Sequence, residues 1–163
     1  NCFAWAVGVT DRAIRPQTWD ALATAYAEVG YYNVPLTGPP ANDDAEVYAR
    51  DTDVGRPLHA HRVTDAANGT CESKMGDDFR IQHHRDMLQC THLNGPTFEY
   101  GVVQARYRYD ATRLRQWQEG EVTTSSGRKL KRKDAAWTSS GRPISKDKKS
   151  TTKSGRVVKK GGK

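Results

Sequence analysis

The chain has 163 residues, 36% of them hydrophobic, and a formal net charge of +7. A chain of this length supports one modest hydrophobic core, so a second independent domain is not expected. No run of about 18 apolar residues is present, which excludes a transmembrane helix. The sequence therefore predicts a soluble protein with no membrane partner. Its compartment stays open, with the cytoplasm favoured over secretion.

The charge is distributed unevenly along the chain. Residues 1–120 contain 12 Lys and Arg and 16 Asp and Glu, whereas residues 121–163 contain 14 and 3. The sequence therefore predicts a mildly acidic α+β domain over residues 1–119 and a basic low-complexity tail over residues 120–163. Because their charges are opposite, the two parts are expected to meet different partners.

The first predicted elements are two helices. Cys2 to Val7 is a short apolar stretch that ends at Gly8, which predicts a short helix with Cys2 on its first turn. From Thr18, apolar residues recur at helical spacing, with Thr18 as the cap and Gly30 just past the end. Residues 31–44 are rich in Pro, Asn and Asp and predict an irregular connection.

Short strands follow this connection. Segments 45–50, 57–64 and 70–74 are separated by turn-forming residues, and the Asn-Gly pair at 68–69 is a strong hairpin signal. Segment 98–109 alternates aromatic, aliphatic and polar residues, which predicts a long strand with one buried face that closes the sheet. Helices followed by strands indicate an α+β fold with N-terminal helices packed on an antiparallel sheet.

From about Gly120 the chain is rich in Ser, Thr, Gly, Lys and Arg. Too few apolar residues remain to offset the entropy of ordering it, so we expect this tail to be disordered when free. Non-specific nucleic-acid binding and a solvated tail without a partner are both compatible with this composition. The densest basic run supplies the candidate phosphate contacts, namely Arg128, Lys129, Lys131, Arg132 and Lys133.

The acidic part contains residues that could carry out chemistry. Cys2 comes first, the pair His59 and His61 follows, and His83 lies further on. Residues two apart in a strand share a face, so His59 and His61 should project together. A Cys nucleophile, a His base and His83 as the residue that orients the base form one interpretation. The alternatives are a zinc site, with a third ligand from His83, His84 or Cys71, and an ordinary buried thiol beside hydrogen-bonded histidines.

Three cysteines are an odd number, so at least one thiol is expected to stay free. Cys71 and Cys90 could pair, but three reduced thiols in a cytosolic protein are the favoured interpretation. We expect no cofactor and no bound metal ion.

Several short motifs together resemble a known family. They are NCFAWAVG at 1–8, PLHAHR at 57–62, ESKMG at 72–76 and IQH at 81–83. Their order resembles an uncharacterised bacterial domain family and, through it, papain-like cysteine hydrolases of the NlpC cell-wall endopeptidase branch. The resemblance covers about residues 1 to 109. It implies a papain-like fold in which a Cys opens a helix, a His begins a strand and a polar residue follows on the next strand.

The resemblance also implies roles for individual residues. Cys2 would be the nucleophile, His59 the base and His83 the orienting residue, while His61 ranks below His59. The start of the first helix would donate N–H groups to the oxyanion and favour the thiolate. The residues expected to line the substrate site are Asn1, Trp5, His61 and Lys74. Asn1 stands where the cell-wall enzymes usually have Asp.

The activity that the resemblance implies is that of a cysteine hydrolase or acyltransferase. It would act on amide bonds of a peptide or protein, as a peptidase, amidase or deamidase. This hypothesis requires that folding bring the Cys2 sulfur beside an imidazole on the sheet. The competing hypothesis is a non-catalytic protein that binds nucleic acid through its tail.

Overall fold

In the computed structural model of this protein, residues 1–50, 56–76, 79–89, 100–123, 127–137 and 143–145 are described. The chain divides into two compact units, Asn1–Leu114 and Arg115–Lys163. None of the helices in the described ranges is long and apolar enough to cross a membrane. Cys90 and the start of the predicted strand at Phe98 lie outside these ranges.

Both predicted helices are confirmed. Helix α1 (Cys2–Ala6) is capped by the Asn1 side chain, which accepts the N–H of Ala4, and it ends before Gly8. Helix α2 (Trp19–Ala27) is capped in the same way by Thr18, which accepts the N–H of Ala21. A third helix, α3 (Ala111–Glu119), was not predicted, although Asp110 caps it by accepting the N–H groups of residues 112 and 113.

A six-stranded antiparallel sheet forms the centre of the first unit, as predicted. Its strands lie in the order β1-β6-β2-β3-β4-β5, and every neighbouring pair is antiparallel. The strands are β1 (Tyr31–Val34), β2 (Ala45–Ala49), β3 (His59–Asp65), β4 (Thr70–Lys74), β5 (Arg80–His84) and β6 (Val102–Tyr109).

Two predictions about the sheet are wrong. Residues 31–34 form strand β1 rather than part of an irregular connection, because they pair with β6, a partner some 75 residues away in the register Tyr31↔Tyr109. Strand β6 does not close the sheet either, since it lies between β1 and β2. Both errors arise from long-range pairing, which local composition does not encode.

The two faces of the sheet differ in chemistry because side chains alternate along each strand. The helix-packed face is apolar, and its small residues let α1 and α2 approach closely. There, Tyr26 of α2 donates a hydrogen bond to the carbonyl oxygen of Phe3 in α1. The buried residues of this apolar face include Ala45, Val47, Ala60, Ala105 and Tyr107. The opposite side, called the polar face below, carries the buried residues Glu46, Tyr48, His59, His61, Ser73, His83 and Arg106.

Glu46 is the centre of the polar face. Arg85 donates two hydrogen bonds to its carboxylate, at 2.6 and 2.8 Å, and Arg106 donates a third at 2.9 Å. Burial alone would raise the pKa of Glu46, but the hydrogen bonds from His61, Arg85 and Arg106 lower it to about 2. Glu46 is therefore a carboxylate at neutral pH, and it joins β2 to β3, to β6 and to the turn after β5.

The second unit contains short elements within its described residues. Strands β7 (Glu121–Thr123) and β8 (Lys129–Lys131) form one antiparallel pair, and β9 (Ala135–Trp137) and β10 (Pro143–Ser145) form another. A 3₁₀ turn, Arg132–Asp134, lies between β8 and β9. We expected the whole tail to be disordered when free. Its described residues instead include two hairpins and a 3₁₀ turn.

Candidate active site

Cys2 lies at the point where α1 meets the start of β3. It is the first residue of α1, and only 8% of it is exposed. Its thiol lies against the backbone N–H groups of Ala60 and Phe3. Because the β3–β4 pairing begins at His61↔Ser73, the N–H of Ala60 lies just beyond that ladder. Cys2 therefore sits at the end of the sheet between these two strands.

The Cys2 thiol is protonated at neutral pH. Burial raises its pKa above the ordinary value of 9.0, and the N–H groups of Ala60 and Phe3 only partly oppose this effect. Helix α1 has five residues, so its dipole is small. The N–H groups at the helix start lower the pKa of the thiol, but in the resting site desolvation outweighs them.

His59 begins a chain of hydrogen bonds across three strands. Its Nε2 lies 3.1 Å from the Oγ of Ser73 on β4. That oxygen lies 2.8 Å from Nε2 of His83 on β5. The Nδ1 of His83 lies 2.9 Å from the carbonyl oxygen of His84. Ser73 therefore stands between His59 and the residue predicted to orient it.

The directions of these hydrogen bonds follow from one fixed acceptor. A carbonyl oxygen only accepts, so the Nδ1 of His83 must carry a proton, which leaves its Nε2 as an acceptor in the neutral ring. Ser73 then donates to His83 and accepts from the Nε2–H of His59. The remaining nitrogen of a neutral His59 ring, Nδ1, is therefore unprotonated.

Burial keeps both rings neutral. It lowers the pKa of His59 to about 3, with smaller contributions from the charges of His61 and His83. It also lowers the pKa of His83, although the carbonyl oxygen of His84 opposes this. At neutral pH the site therefore holds an un-ionised thiol and an un-ionised imidazole, not a thiolate–imidazolium pair.

Cys2 and His59 approach each other only at the start of β3. Strand alternation turns Ala60 toward the helices and His59 toward the polar face. The thiol contacts the N–H of Ala60, which belongs to the peptide bond that follows His59. The sulfur therefore reaches the backbone of His59, and the imidazole ring lies on the other face of the strand.

Tyr100 is close to both residues. Its ring stacks on the ring of His59, with a centroid distance of 4.1 Å and an angle of 15°. Burial raises the pKa of Tyr100, and the nearby Cys2 thiol raises it further. The next residue, Gly101, has a φ of +81°, and a Cβ there would collide with the carbonyl oxygen of Ala49. Glycine thus allows the close approach to β2 that holds Tyr100 over His59.

A cleft of about 380 Å³ opens beside Cys2. One wall comes from the segment before α2 and the other from the segment before β3. The lining residues are Asn1, Cys2, Phe3, Arg15, Pro16, Gln17, Arg56, Pro57, Leu58 and Gly76.

Comparison with known proteins assigns this part of the chain to a family. Residues 1–108 match the family model described as Domain of unknown function (DUF7689). The chain belongs to the DUF7689 family. No curated protein and no solved structure matches the chain. The match covers Cys2, His59, Ser73 and His83, and it confirms the predicted membership of an uncharacterised domain family.

The four residues expected to line the substrate site lie in different surroundings in the DUF7689 domain. Asn1 lines the cleft and also caps α1. Trp5 lies under the guanidinium of Arg80, 4.7 Å from it. Lys74 ends β4. His61 lies on the polar face, with Nδ1 2.8 Å from the Tyr48 hydroxyl and Nε2 3.0 Å from Glu46.

His61 is not placed to act as a base. Burial lowers its pKa, which the carboxylate of Glu46 opposes. Nε2–H donates to that carboxylate, and Nδ1 contacts the Tyr48 hydroxyl, which also lies 3.1 Å from the carbonyl oxygen of Arg85 as a donor to it. Both nitrogens are thus engaged within the polar face, which supports the lower rank that the sequence assigned to His61.

Sequence reasoning missed Ser73 as a site residue. The motif at 72–76 contains Ser73, but none of the roles that the resemblance implies falls on this residue. The hairpin signal at 68–69 could have identified Ser73 alone. Strands paired across that turn bring residue 73 opposite His61, on the face that His59 shares.

The structure gives no support to the zinc alternative. Within the described ranges, no three His, Cys, Asp or Glu side chains are grouped as metal ligands would be. Cys71 is buried and carries a free thiol, and burial raises its pKa to about 12. Cys90, with which Cys71 could pair in the less favoured interpretation, lies outside the described residues.

Most candidate phosphate contacts are engaged inside the second unit. Lys131 and Lys133 form ion pairs with Glu119, and the guanidinium of Arg132 lies 4.9 Å from the ring centroid of Trp117. Lys129 lies 3.6 Å from Glu121, although 72% of its side chain is exposed. Arg128 is exposed as well. The run therefore remains accessible to solvent, with part of its charge neutralised locally.

Proposed function

We propose that the DUF7689 domain of this chain is a papain-like cysteine hydrolase or acyltransferase that acts on amide bonds. The observation that carries the proposal is the hydrogen-bond chain from the His84 carbonyl through His83 and Ser73, which leaves Nδ1 of His59 unprotonated. His59 in this tautomer is the first residue of β3, and the N–H of the next residue, Ala60, contacts the Cys2 thiol.

The papain-like architecture is part of this proposal. It is supported by a short helix that begins at Cys2 and packs on the sheet, and by His59 as the first residue of a central strand. The polar partner Ser73 lies on the neighbouring strand, and His83 lies on the strand after it. This is the order that the resemblance implies, with Ser73 inserted as a bridge.

The reaction would start from neutral groups. As the Cys2 sulfur attacks the amide carbonyl carbon, its proton moves to Nδ1 of His59, and the resulting imidazolium keeps its Nε2–H on Ser73. The C–N bond then breaks, and His59 returns the proton to the leaving amine. Water or an acceptor amine attacks the thioester while His59 takes its proton, and the proton finally returns to the sulfur. Because the His59 ring and the sulfur lie on different faces of β3 in the structure, the transfer requires a local rearrangement at the start of β3 that brings Nδ1 within hydrogen-bond distance of the sulfur.

Backbone N–H groups around the sulfur would stabilise the intermediate. Those of Ala60, Phe3 and Cys2 are close enough to lower the pKa of the thiol, although burial outweighs them. In the tetrahedral intermediate, the negative charge lies on the former carbonyl oxygen. Fixed donors at this position would stabilise that charge without reorganisation.

The test measures the alkylation of Cys2 by iodoacetamide. The matched internal control is Cys71, which is also buried and free and has a pKa of about 12. We expect Cys2 to react at least tenfold faster than Cys71 at pH 8, and His59→Gln to slow Cys2 alone. Mass spectrometry of each cysteine peptide gives both rates. If Cys2 reacts no faster than Cys71, the thiol is a structural one and the enzyme proposal fails.

We infer a separate role for residues 121–163, namely non-specific binding to the phosphate backbone of nucleic acid. The supporting observation is an excess of 14 basic over 3 acidic residues in this segment. Counterion release from the phosphates would drive such binding. The intrachain pairs of Lys131 and Lys133 with Glu119 would compete with it. This role does not depend on the enzyme proposal.

A further inference from the structure

The cleft beside Cys2 has a distinctive charge. Its described lining includes two arginines, Arg15 and Arg56, and no Asp or Glu. The two arginines come from separate segments of the chain, one before α2 and one before β3. A cleft whose lining carries charges of one sign concentrates ligands of the opposite sign.

The wall that carries Arg15 is attached to the cap of α1. The Asn1 side chain donates to the carbonyl oxygen of Ile14 at 2.7 Å and accepts the N–H of the same residue at 3.4 Å. Ile14 and Pro16, the neighbours of Arg15, are both buried. The backbone of Arg15 is therefore held beside the first residue of α1.

The wall that carries Arg56 is attached to the sheet. Pro57 is buried, and the N–H of Leu58 donates to the carbonyl oxygen of Tyr48 at 2.9 Å. Arg56 itself is exposed and makes no ion pair within the described part of the chain. Its guanidinium is thus available to a ligand in the cleft.

We propose that the substrate is an acidic peptide, with a carboxylate next to the amide bond that Cys2 attacks. This inference rests on the proposed function and adds the substrate class to it. A guanidinium matches a carboxylate geometrically, since it donates two parallel hydrogen bonds and keeps its charge at any physiological pH. Arg56 receives the carboxylate, and the positive charge of Arg15 on the facing segment adds to the attraction.

The first test compares iodoacetate with iodoacetamide, two alkylating reagents that differ by one negative charge. We expect the rate ratio of iodoacetate to iodoacetamide at Cys2 to be at least fivefold higher in the wild type than in Arg56→Gln. The matched control is Arg12→Gln, because Arg12 pairs with Glu28 at 3.1 Å and is not among the residues that line the cleft. This control should leave the ratio unchanged.

The second test uses two peptide amides that differ only in Glu or Gln beside the scissile bond. We expect kcat/KM of the wild type to be about tenfold higher for the Glu peptide, as one charge-assisted hydrogen bond of about 1.5 kcal/mol provides. Arg56→Gln should remove this preference, and Arg56→Glu should reverse it.

The possible failures are distinguishable. If Cys2 is reactive but Arg56→Gln leaves both the alkylation ratio and the peptide preference unchanged, the substrate proposal alone is overturned. If Cys2 reacts with neither reagent faster than Cys71 does, the proposed function fails and the substrate class fails with it. Raising the salt concentration should reduce the wild-type ratio, since screening weakens the attraction to an exposed guanidinium.

Discussion

Ser73 determines which nitrogen of His59 can act as a base. Its hydroxyl is buried and has one proton, which it donates to His83, so it can only accept from His59. The carbonyl oxygen of His84 fixes the direction of these hydrogen bonds, because a carbonyl oxygen never donates. Ser73 therefore positions the His59 ring and need not touch the substrate itself.

Replacing Ser73 by Ala should therefore impair the chemical step more than substrate binding. Nε2 of His59 loses its acceptor, and the tautomer with a proton on Nδ1 becomes accessible. We expect kcat to fall by about 10- to 100-fold with little change in KM, a loss within the usual contribution of a general base. The ¹⁵N chemical shifts of the His59 ring should show protonation moving from Nε2 toward Nδ1.

Two variants serve as controls for this prediction. Ser73→Thr keeps the hydroxyl and should restore most of kcat. Thr64→Val removes a hydroxyl that donates to the carbonyl oxygen of Thr70 on the same strand pair, and it should leave kcat unchanged. A Ser73→Ala variant with wild-type kcat and wild-type ¹⁵N shifts would show that the hydrogen-bond chain does not orient His59.

At the scale of secondary-structure elements, β3 and β5 together bury three histidines on the polar face. His59 and His61 come from β3 and His83 comes from β5, and burial lowers the pKa of all three. The folded protein therefore keeps these rings neutral at a pH at which the unfolded chain protonates them. The polar face thereby makes stability depend on pH.

The sign of this dependence follows from His59. Its folded pKa of about 3 lies below the ordinary value of 6.5, so its contribution to stability is complete above pH 6.5 and is lost as the pH falls toward 3. Between pH 7 and pH 5, His59 alone should lower the free energy of unfolding by about 2 kcal/mol. Urea unfolding at the two pH values measures this difference.

The variants His59→Gln and His84→Gln separate the buried ring from an exposed one. His59→Gln should reduce the loss between pH 7 and pH 5 by about 2 kcal/mol. His84→Gln should leave the loss as it is in the wild type, because 63% of the His84 side chain is exposed. Equal pH dependence in the wild type and His59→Gln would contradict a neutral, buried His59.

At the scale of the whole molecule, the chain joins an acidic part to a basic part. The residues up to 120 are mildly acidic, and residues 121–163 carry the basic excess. The cleft at Cys2 is a local exception, since its lining is basic within an otherwise acidic part. The total charge of +7 therefore describes neither part, and both the basic cleft and the basic tail are expected to attract anionic partners.

Deleting residues 121–163 should abolish binding to nucleic acid. We expect the affinity of the full chain for a fluorescent single-stranded oligonucleotide to fall by about 300-fold between 50 and 200 mM NaCl if six phosphates are contacted. Fluorescence anisotropy measures both effects. Undiminished affinity after truncation would place any binding site in the DUF7689 domain instead of the tail.

Local patterns in the sequence determined much of the fold. The caps Asn1 and Thr18 and the Asn-Gly hairpin signal act over a few residues, so their effects could be predicted from neighbours alone. The alternation in segment 98–109 identified β6, but neither its partner β1 nor its inner place in the sheet, because these depend on pairing with a distant segment.

The sequence by itself also determined which residues are candidates for chemistry, since thiol and imidazole groups are recognisable by type and by order. Only the tertiary structure decided that Ser73 lies between His59 and His83, and that Arg56 lines the same cleft as Cys2. It also decided the protonation state of the Cys2 thiol, because burial raises the pKa of the thiol more than the surrounding backbone N–H groups lower it. Hydrogen-bond direction and desolvation depend on what surrounds a group in space, and residues far apart in the chain supply those surroundings.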